Sequence, residues 1–144
     1  MDYLKDLARN KGIISRFNFL GFRQDTEALL QVMDLFCVPS STEGLPRSLL
    51  EALACEKVCI TSRAGGMPEA ILDGKTGILL DEPSEPCLFD AIERAWKIGA
   101  EGRAQMGMRA RAYTDKNFNV VDMVRKTEDV YRQVMGESPR RNNR

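Results

Sequence analysis

Residues 35–62 read "LFCVPSSTEGLPRSLLEALACEKVCITS". Two apolar runs, "LFCVPS" (35–40) and "KVCITS" (57–62), flank a helical pattern. Neither run alternates polar with apolar residues, the pattern of strands covered on both faces. Between them, Leu49, Leu50, Leu53 and Ala54 fall on one side of the helical ring for 46–55, and Arg47, Ser48, Glu51 and Cys55 on the other. Pro46 suits the first helical turn because it has no N–H to leave unpaired. Strand, loop, helix, strand is the repeating unit of a parallel sheet.

Working outward, residues 2–11 predict a helix carrying Leu4, Leu7 and Ala8 and stopped by Gly12. "RFNFLG" (16–21) predicts a short strand, and 25–33 a helix with Asp25 as N-cap and Leu29, Leu30 and Met33 as its apolar side. Downstream, "RAGGMPEAILDGKTG" (63–77) holds a glycine turn, a short helix with Pro68 near its start and a second turn at Asp73 and Gly74. "GILL" (77–80) is the next strand and "DEPSEP" a polar connection. Helices are expected over 87–99, 102–113 and 120–135. The last carries Val120, Val121, Met123, Val124, Val130, Tyr131 and Val134 as a core-facing stripe. The fold class is therefore α/β, a Rossmann-like parallel sheet with helices on both faces. Residues 1–135 form one domain, and 136–144 ("GESPRRNNR" with its glycine) a disordered tail.

At 144 residues the chain is of single-domain size, and 43% hydrophobic content is ordinary for a globular protein. Lys+Arg and Asp+Glu balance at 21 each, so no charge excess steers it to nucleic acid or an anionic membrane. No apolar run approaches the ~18 residues a spanning helix needs, and the N-terminus has no signal-peptide pattern. A cytoplasmic protein with no membrane segment is expected. Cys37, Cys55, Cys59 and Cys87 form no C-x-x-C pair and have no histidine to share a metal with, so they read as reduced, mostly buried thiols.

In a parallel sheet, ligands gather at the carboxyl ends of the strands, so the loops at 21–25, 39–45, 62–67 and 81–86 matter most. At the start of the 46–55 helix, the amides of Gly44, Leu45, Arg47 and Ser48 offer an anion site reinforced by the helix dipole. Glu51, about 7 Å along the axis, leans back toward that site. A carboxylate repels a phosphate, but as a pure acceptor it matches the two donors of a sugar's vicinal diol. Glu51 is thus placed to hold a ribose, and Glu43 to reach hydroxyls beyond the phosphates. The bland alternative stays open at this point: Glu51 in a surface ion pair with Arg47, worth ~0.3–0.5 kcal/mol, and Glu43 solvated.

The ordered series "FLG", "DLFCVPS", "EGLP" with a second glutamate eight on (Glu43 and Glu51, E-x7-E), "GGMPE" and "DGKTGILL" resembles the C-terminal domain of retaining GT-B glycosyltransferases of the group 1 type. Tyr113 and Phe118 before a final helix extend the likeness over nearly residues 16–135. The resemblance implies part of the C-terminal half of a GT-B fold, with a nucleotide-diphosphate sugar as donor substrate, no other cofactor and no obligatory metal; no D-x-D motif is present. Carried over residue by residue, Glu51 holds the ribose diol, and Glu43 is the catalytic position, near the donor sugar's hydroxyls. The backbone of Gly44, Leu45, Arg47 and Ser48 contacts phosphates and sugar. Phe22 and Arg23 fall where the family contacts the base, with a solvated loop as an equal reading for Arg23. Gly65 and Gly66 line the same crevice, or serve only as turn glycines.

The resemblance implies a hexosyltransferase lineage acting in polysaccharide biosynthesis, passing sugar to a glycan, lipid or small molecule. It also implies an N-terminal, acceptor-binding domain as partner, with a histidine, and an early "G-R-x…K-G" phosphate clamp. Neither histidine nor clamp occurs in these 144 residues. The expectation is a truncated piece, inactive alone; the alternative is a non-catalytic nucleotide-sugar-binding or assembly module. In the family's strand order 3-2-1-4-5-6, the strands between 16–20 and 35–39 are missing, which predicts exposed backbone, poor solubility and self-association.

Overall fold

The computed structural model describes residues 2–136; the expected tail, apart from Gly136, lies outside them. Its elements in chain order are α1 (Asp2–Asn10), a 3-10 turn (Ile14–Arg16), α2 (Thr26–Val32), β1 (Leu35–Val38), α3 (Arg47–Ala54), β2 (Val58–Thr61), α4 (Met67–Ala70), β3 (Ile78–Leu79), α5 (Glu85–Lys97), α6 (Gly99–Asn117) and α7 (Val120–Val134).

The three strands form one parallel sheet in the order β1-β2-β3, with Leu35 opposite Val58 and Ile60 opposite Ile78. Period-two alternation divides β2 between two cores. Val58 and Ile60 join Ile78, Leu80, Ala91, Ala95 and Met106 beneath α5. Cys59 faces the other way, with Leu49, Leu53, Met67, Ile71 and Leu79 beneath α3 and α4. Helices therefore cover both faces, and α6 reaches both cores through Ala110 and Met106. Leu49 and Leu53 are fully buried, worth about 1.5–3 kcal/mol each. That exceeds any surface pair on the helix, so packing fixes where α3 lies. Ala52 is also fully buried, a contact the ring of leucines did not single out.

Several expectations change. Residues 16–21 form no strand: a 3-10 turn ends at Arg16 and the chain runs on extended from Phe17, with the Phe17 and Phe19 rings stacked 6.0 Å apart. A strand exists only where a neighbour pairs its backbone, and no described strand lies beside this segment. For the same reason the outer edge of β1 is unpaired among the described residues, and Cys37 on it is exposed rather than buried. All four thiols are free, and only Cys59 is fully buried, which pushes its thiol well up from the ordinary range.

The stripe on α7 does not face the core. Val121 is 74% and Val134 83% exposed, and α7 has no buried residue. The period of a helix shows that a face is apolar; it does not say what covers it. Boundaries shift by small amounts: α6 begins at Gly99 and runs on to Asn117, and Pro46 is the N-cap of α3 rather than its first turn. No helix among the described residues is long and apolar enough to cross a membrane.

Candidate functional site

The loops leaving β1, β2 and β3 converge at the carboxyl edge of the sheet. Two hydrogen bonds from the second loop hold the first. The buried Ser62 hydroxyl donates to the Ser40 carbonyl, and the Gly66 amide donates to the Gly44 carbonyl at 2.8 Å. Between them Gly65 has φ +53°, and a Cβ built there would lie 1.9 Å from the Glu43 carbonyl oxygen. Only glycine permits both that backbone and that approach. A Cβ on Gly66 would lie 3.3 Å from the Leu45 Cβ. The structure thus brings Gly65 and Gly66 against the 43–45 loop, and both serve as close-packing glycines.

The same loop leads into α3. Pro46 stands at the N-cap in an extended conformation, and no side chain caps the helix. The amides of Leu49 and Leu50 turn back to the Pro46 carbonyl. Those of Arg47 and Ser48 lie in the first turn, where a helix provides no acceptor. In contrast, α5 is capped by Ser84 and α7 by Asn119. Leu45 packs against the core while Gly44, Arg47 and Ser48 are exposed, so the loop is anchored on one side and open on the other. Glu43 is exposed, and the Ser40 hydroxyl donates to its Oε1 at 3.5 Å.

Glu51 is exposed and lines an open cavity of about 600 Å³ between α2 and α3, with Thr26, Glu27, Gln31 and Arg111. The surface pair with Arg47 does not form: no ion pair among the described residues includes Glu51 or Arg47. Arg111, which also lines the cavity, is taken up by Glu56 at 3.6 Å and Asp115 at 3.7 Å.

Thr26 follows directly on the 21–25 loop, so that loop borders the cavity of Glu51. Phe22 there is 91% exposed. Arg23 is bound by both its Nε, at 2.7 Å, and a terminal nitrogen to the Asp25 carboxylate. The hydrogen bonds raise the Arg23 pKa and lower that of Asp25. Asp25 is thereby diverted from capping α2, which has no side-chain cap bond. Arg23 keeps an exposed guanidinium, but its hydrogen-bonding fork is directed at Asp25.

Two charged groups at the carboxyl edge were not singled out from sequence. Arg63, after β2, pairs with Asp81, after β3, at 3.6 Å. The signal available was a charged residue between a buried strand and a Gly-Gly turn. The Tyr113 and Phe118 rings lie 6.4 Å apart, and the Tyr113 hydroxyl donates to the Glu69 carbonyl at 3.1 Å. That bond braces α4, behind the Gly-Gly turn, against α6.

The family description "Glycosyl transferases group 1" matches residues 1–113. This chain belongs to that family. Over 129 residues it is 34% identical to the N-acetyl-alpha-D-glucosaminyl L-malate synthase of Bacillus anthracis, an alignment covering 90% of this chain and 34% of that protein. The Anabaena protein Alr3699/HepE, solved with UDP, superposes with a TM-score of 0.83 at 27% identity, covering 92% of this chain and 37% of that one. Its UDP-glucose complex gives a TM-score of 0.81 at 28% identity, with the same coverage of 92% and 37%. The chain thus spans about a third of the length of the relatives it matches, and its architecture is that of part of a GT-B glycosyltransferase.

Proposed function

We propose that this chain is the nucleotide-diphosphate-sugar-binding part of a retaining glycosyltransferase that transfers a hexose to an acceptor, in the cytoplasm and in the building of a glycan. The observation that carries the reading is the convergence of an uncapped α3 start, the Gly65–Gly66 turn packed on it, and Glu51 unpaired beside an open cavity. The UDP and UDP-glucose complexes of a solved relative support the choice of ligand.

In this reading the Glu51 carboxylate accepts hydrogen bonds from both hydroxyls of the ribose. The Arg47 and Ser48 amides and the 44–45 backbone hold the diphosphate. As the glycosidic bond breaks, negative charge builds on the departing diphosphate. Fixed amide dipoles stabilise it without having to reorganise. Glu43, on the loop that Ser62 and Gly66 hold in place, is the acidic group that meets the sugar's hydroxyls. Phe22 and Arg23 border the base, and no metal is required.

The test is calorimetric titration of UDP and a panel of nucleotide sugars. Loss of charged hydrogen bonds worth ~1.5–3 kcal/mol makes Glu51→Ala bind UDP at least about tenfold more weakly, with an unchanged melting temperature. Equal UDP affinity in the variant rejects the ribose assignment. A wild-type chain that binds no member of the panel rejects the whole reading.

A further inference from the structure

The donor site described above has a charge problem. A diphosphate is anionic, Glu43 and Glu51 both border it, and a helix start offers only about half an elementary charge. Arg47, exposed at the helix start, is one cation against a diphosphate and two carboxylates, and a second is needed nearby. Arg23 is committed to Asp25 through two hydrogen bonds, and Arg111 is shared between two carboxylates, Glu56 and Asp115.

Arg63 is differently placed. It follows Ser62, whose hydroxyl is bonded to the Ser40 carbonyl, and precedes the Gly65–Gly66 turn pressed on the 43–44 backbone. Its main chain is therefore fixed on both sides against the loop that carries Glu43 into α3. Its side chain lines a cavity of about 230 Å³ with Ser40, Ser41, Ser62 and Asp81, built from the loops after all three strands. It is held there by a single long contact of 3.6 Å to Asp81, with the Arg63 side chain 48% and the Asp81 side chain 93% exposed. A solvated pair of that kind holds weakly. Its guanidinium donors are left largely unused and match phosphate oxygens in geometry.

We propose that Arg63 is the second cation that meets the donor's diphosphate, and that Asp81 is the group it leaves on binding. Asp81 parks the guanidinium over the crevice in the empty protein and competes with the ligand for it. The proposal rests on the donor-binding reading and adds to it a residue outside the glutamate pair and helix start.

The two partners then have opposite effects, which a merely structural ion pair would not produce. UDP is titrated by calorimetry, and uridine by NMR, into the whole chain and into Arg63→Met, Arg63→Lys and Asp81→Asn, with thermal melts alongside. Arg63→Met weakens UDP binding about tenfold to a hundredfold, the loss of charge-assisted hydrogen bonds, and leaves uridine unchanged. Arg63→Lys recovers part of the loss. Asp81→Asn tightens UDP binding about twofold to fivefold by removing the competitor. If Arg63→Met and Asp81→Asn change UDP affinity in the same direction, or if uridine follows UDP, the pair is a loop staple and the proposal is overturned. UDP binding that Arg63→Met leaves untouched overturns this proposal alone. A wild-type chain that binds neither UDP nor any nucleotide sugar overturns it together with the reading beneath it.

Discussion

At Gly65 and Gly107 a carbonyl oxygen occupies the space where a side chain would begin. A Cβ at Gly65 would meet the Glu43 carbonyl at 1.9 Å, and one at Gly107 the Glu56 carbonyl at 2.0 Å. Both contacts are with backbone, which cannot swing aside as a side-chain tip can, but they serve different ends. Gly65→Ala adds a strained positive φ to the clash and pushes the 43–44 loop away from the crevice. Gly107→Ala pries α6 from Glu56 in the turn after α3, at the border of the Glu51 cavity but away from the loop that carries Glu43. Both substitutions cost about 1–3 kcal/mol of stability. On the proposed donor-binding reading, Gly65→Ala also removes UDP binding at temperatures where the variant remains folded, and Gly107→Ala weakens it less. Equal binding by the two folded variants would show that the glycine turn does not shape the site. Gly65 was legible in the sequence as one of a Gly-Gly pair after a strand. Gly107, inside a helical pattern, gave no such sign, because its neighbour lies 51 residues earlier in the chain.

Among the elements, α3 and α7 are started in opposite ways. α3 has a proline at its N-cap and leaves its first amides open. In α7, Asn119 accepts from the Asp122 amide at 2.8 Å and donates to the Asp122 carboxylate at 3.1 Å, a reciprocal cap. The Asn119 hydrogen bond is the main reason the Asp122 pKa is lowered, with Arg125 and Lys126 adding to it. A carboxyl with a folded pKa below its unfolded value, about 3.9, stabilises the fold above that value. The contribution is lost as pH falls through the folded pKa. The first turn of α7 is therefore expected to fray on acidification below about pH 4, seen as faster amide exchange over 120–125. Asn119→Ala should fray it at neutral pH and flatten the response to acid. An acid response unaltered by that substitution would assign the effect elsewhere. The sequence predicted α7 almost to its ends, since periodicity is a local property. It misplaced the apolar face, since what covers a helix is not.

On the scale of the whole molecule, the sheet ends abruptly. Among the described residues β1 pairs with β2 on one side only, the segment before it forms no strand, and Cys37 lies exposed on that edge. Unpaired N–H and C=O groups on that edge, together with exposed apolar side chains such as Phe22, Val32 and Val121 elsewhere on the surface, invite association. Sedimentation velocity on the purified chain should show mass rising with concentration. A monodisperse, cooperatively melting monomer at high concentration would contradict that. The alternation of strands, loops and helices from residue 35 onward, the proline at the α3 start and the two glutamates eight apart were set by sequence alone. Helical and strand periods, turn chemistry and motif spacing are written locally along the chain. Tertiary structure alone decided that, among the described residues, 16–21 lack a partner strand and nothing covers the apolar face of α7, that Arg47 leaves Glu51 unpaired, and that Arg63 meets Asp81. Each of these depends on which distant segment arrives beside a residue, and hydrogen bonding, burial and ion pairing take their value from that neighbour.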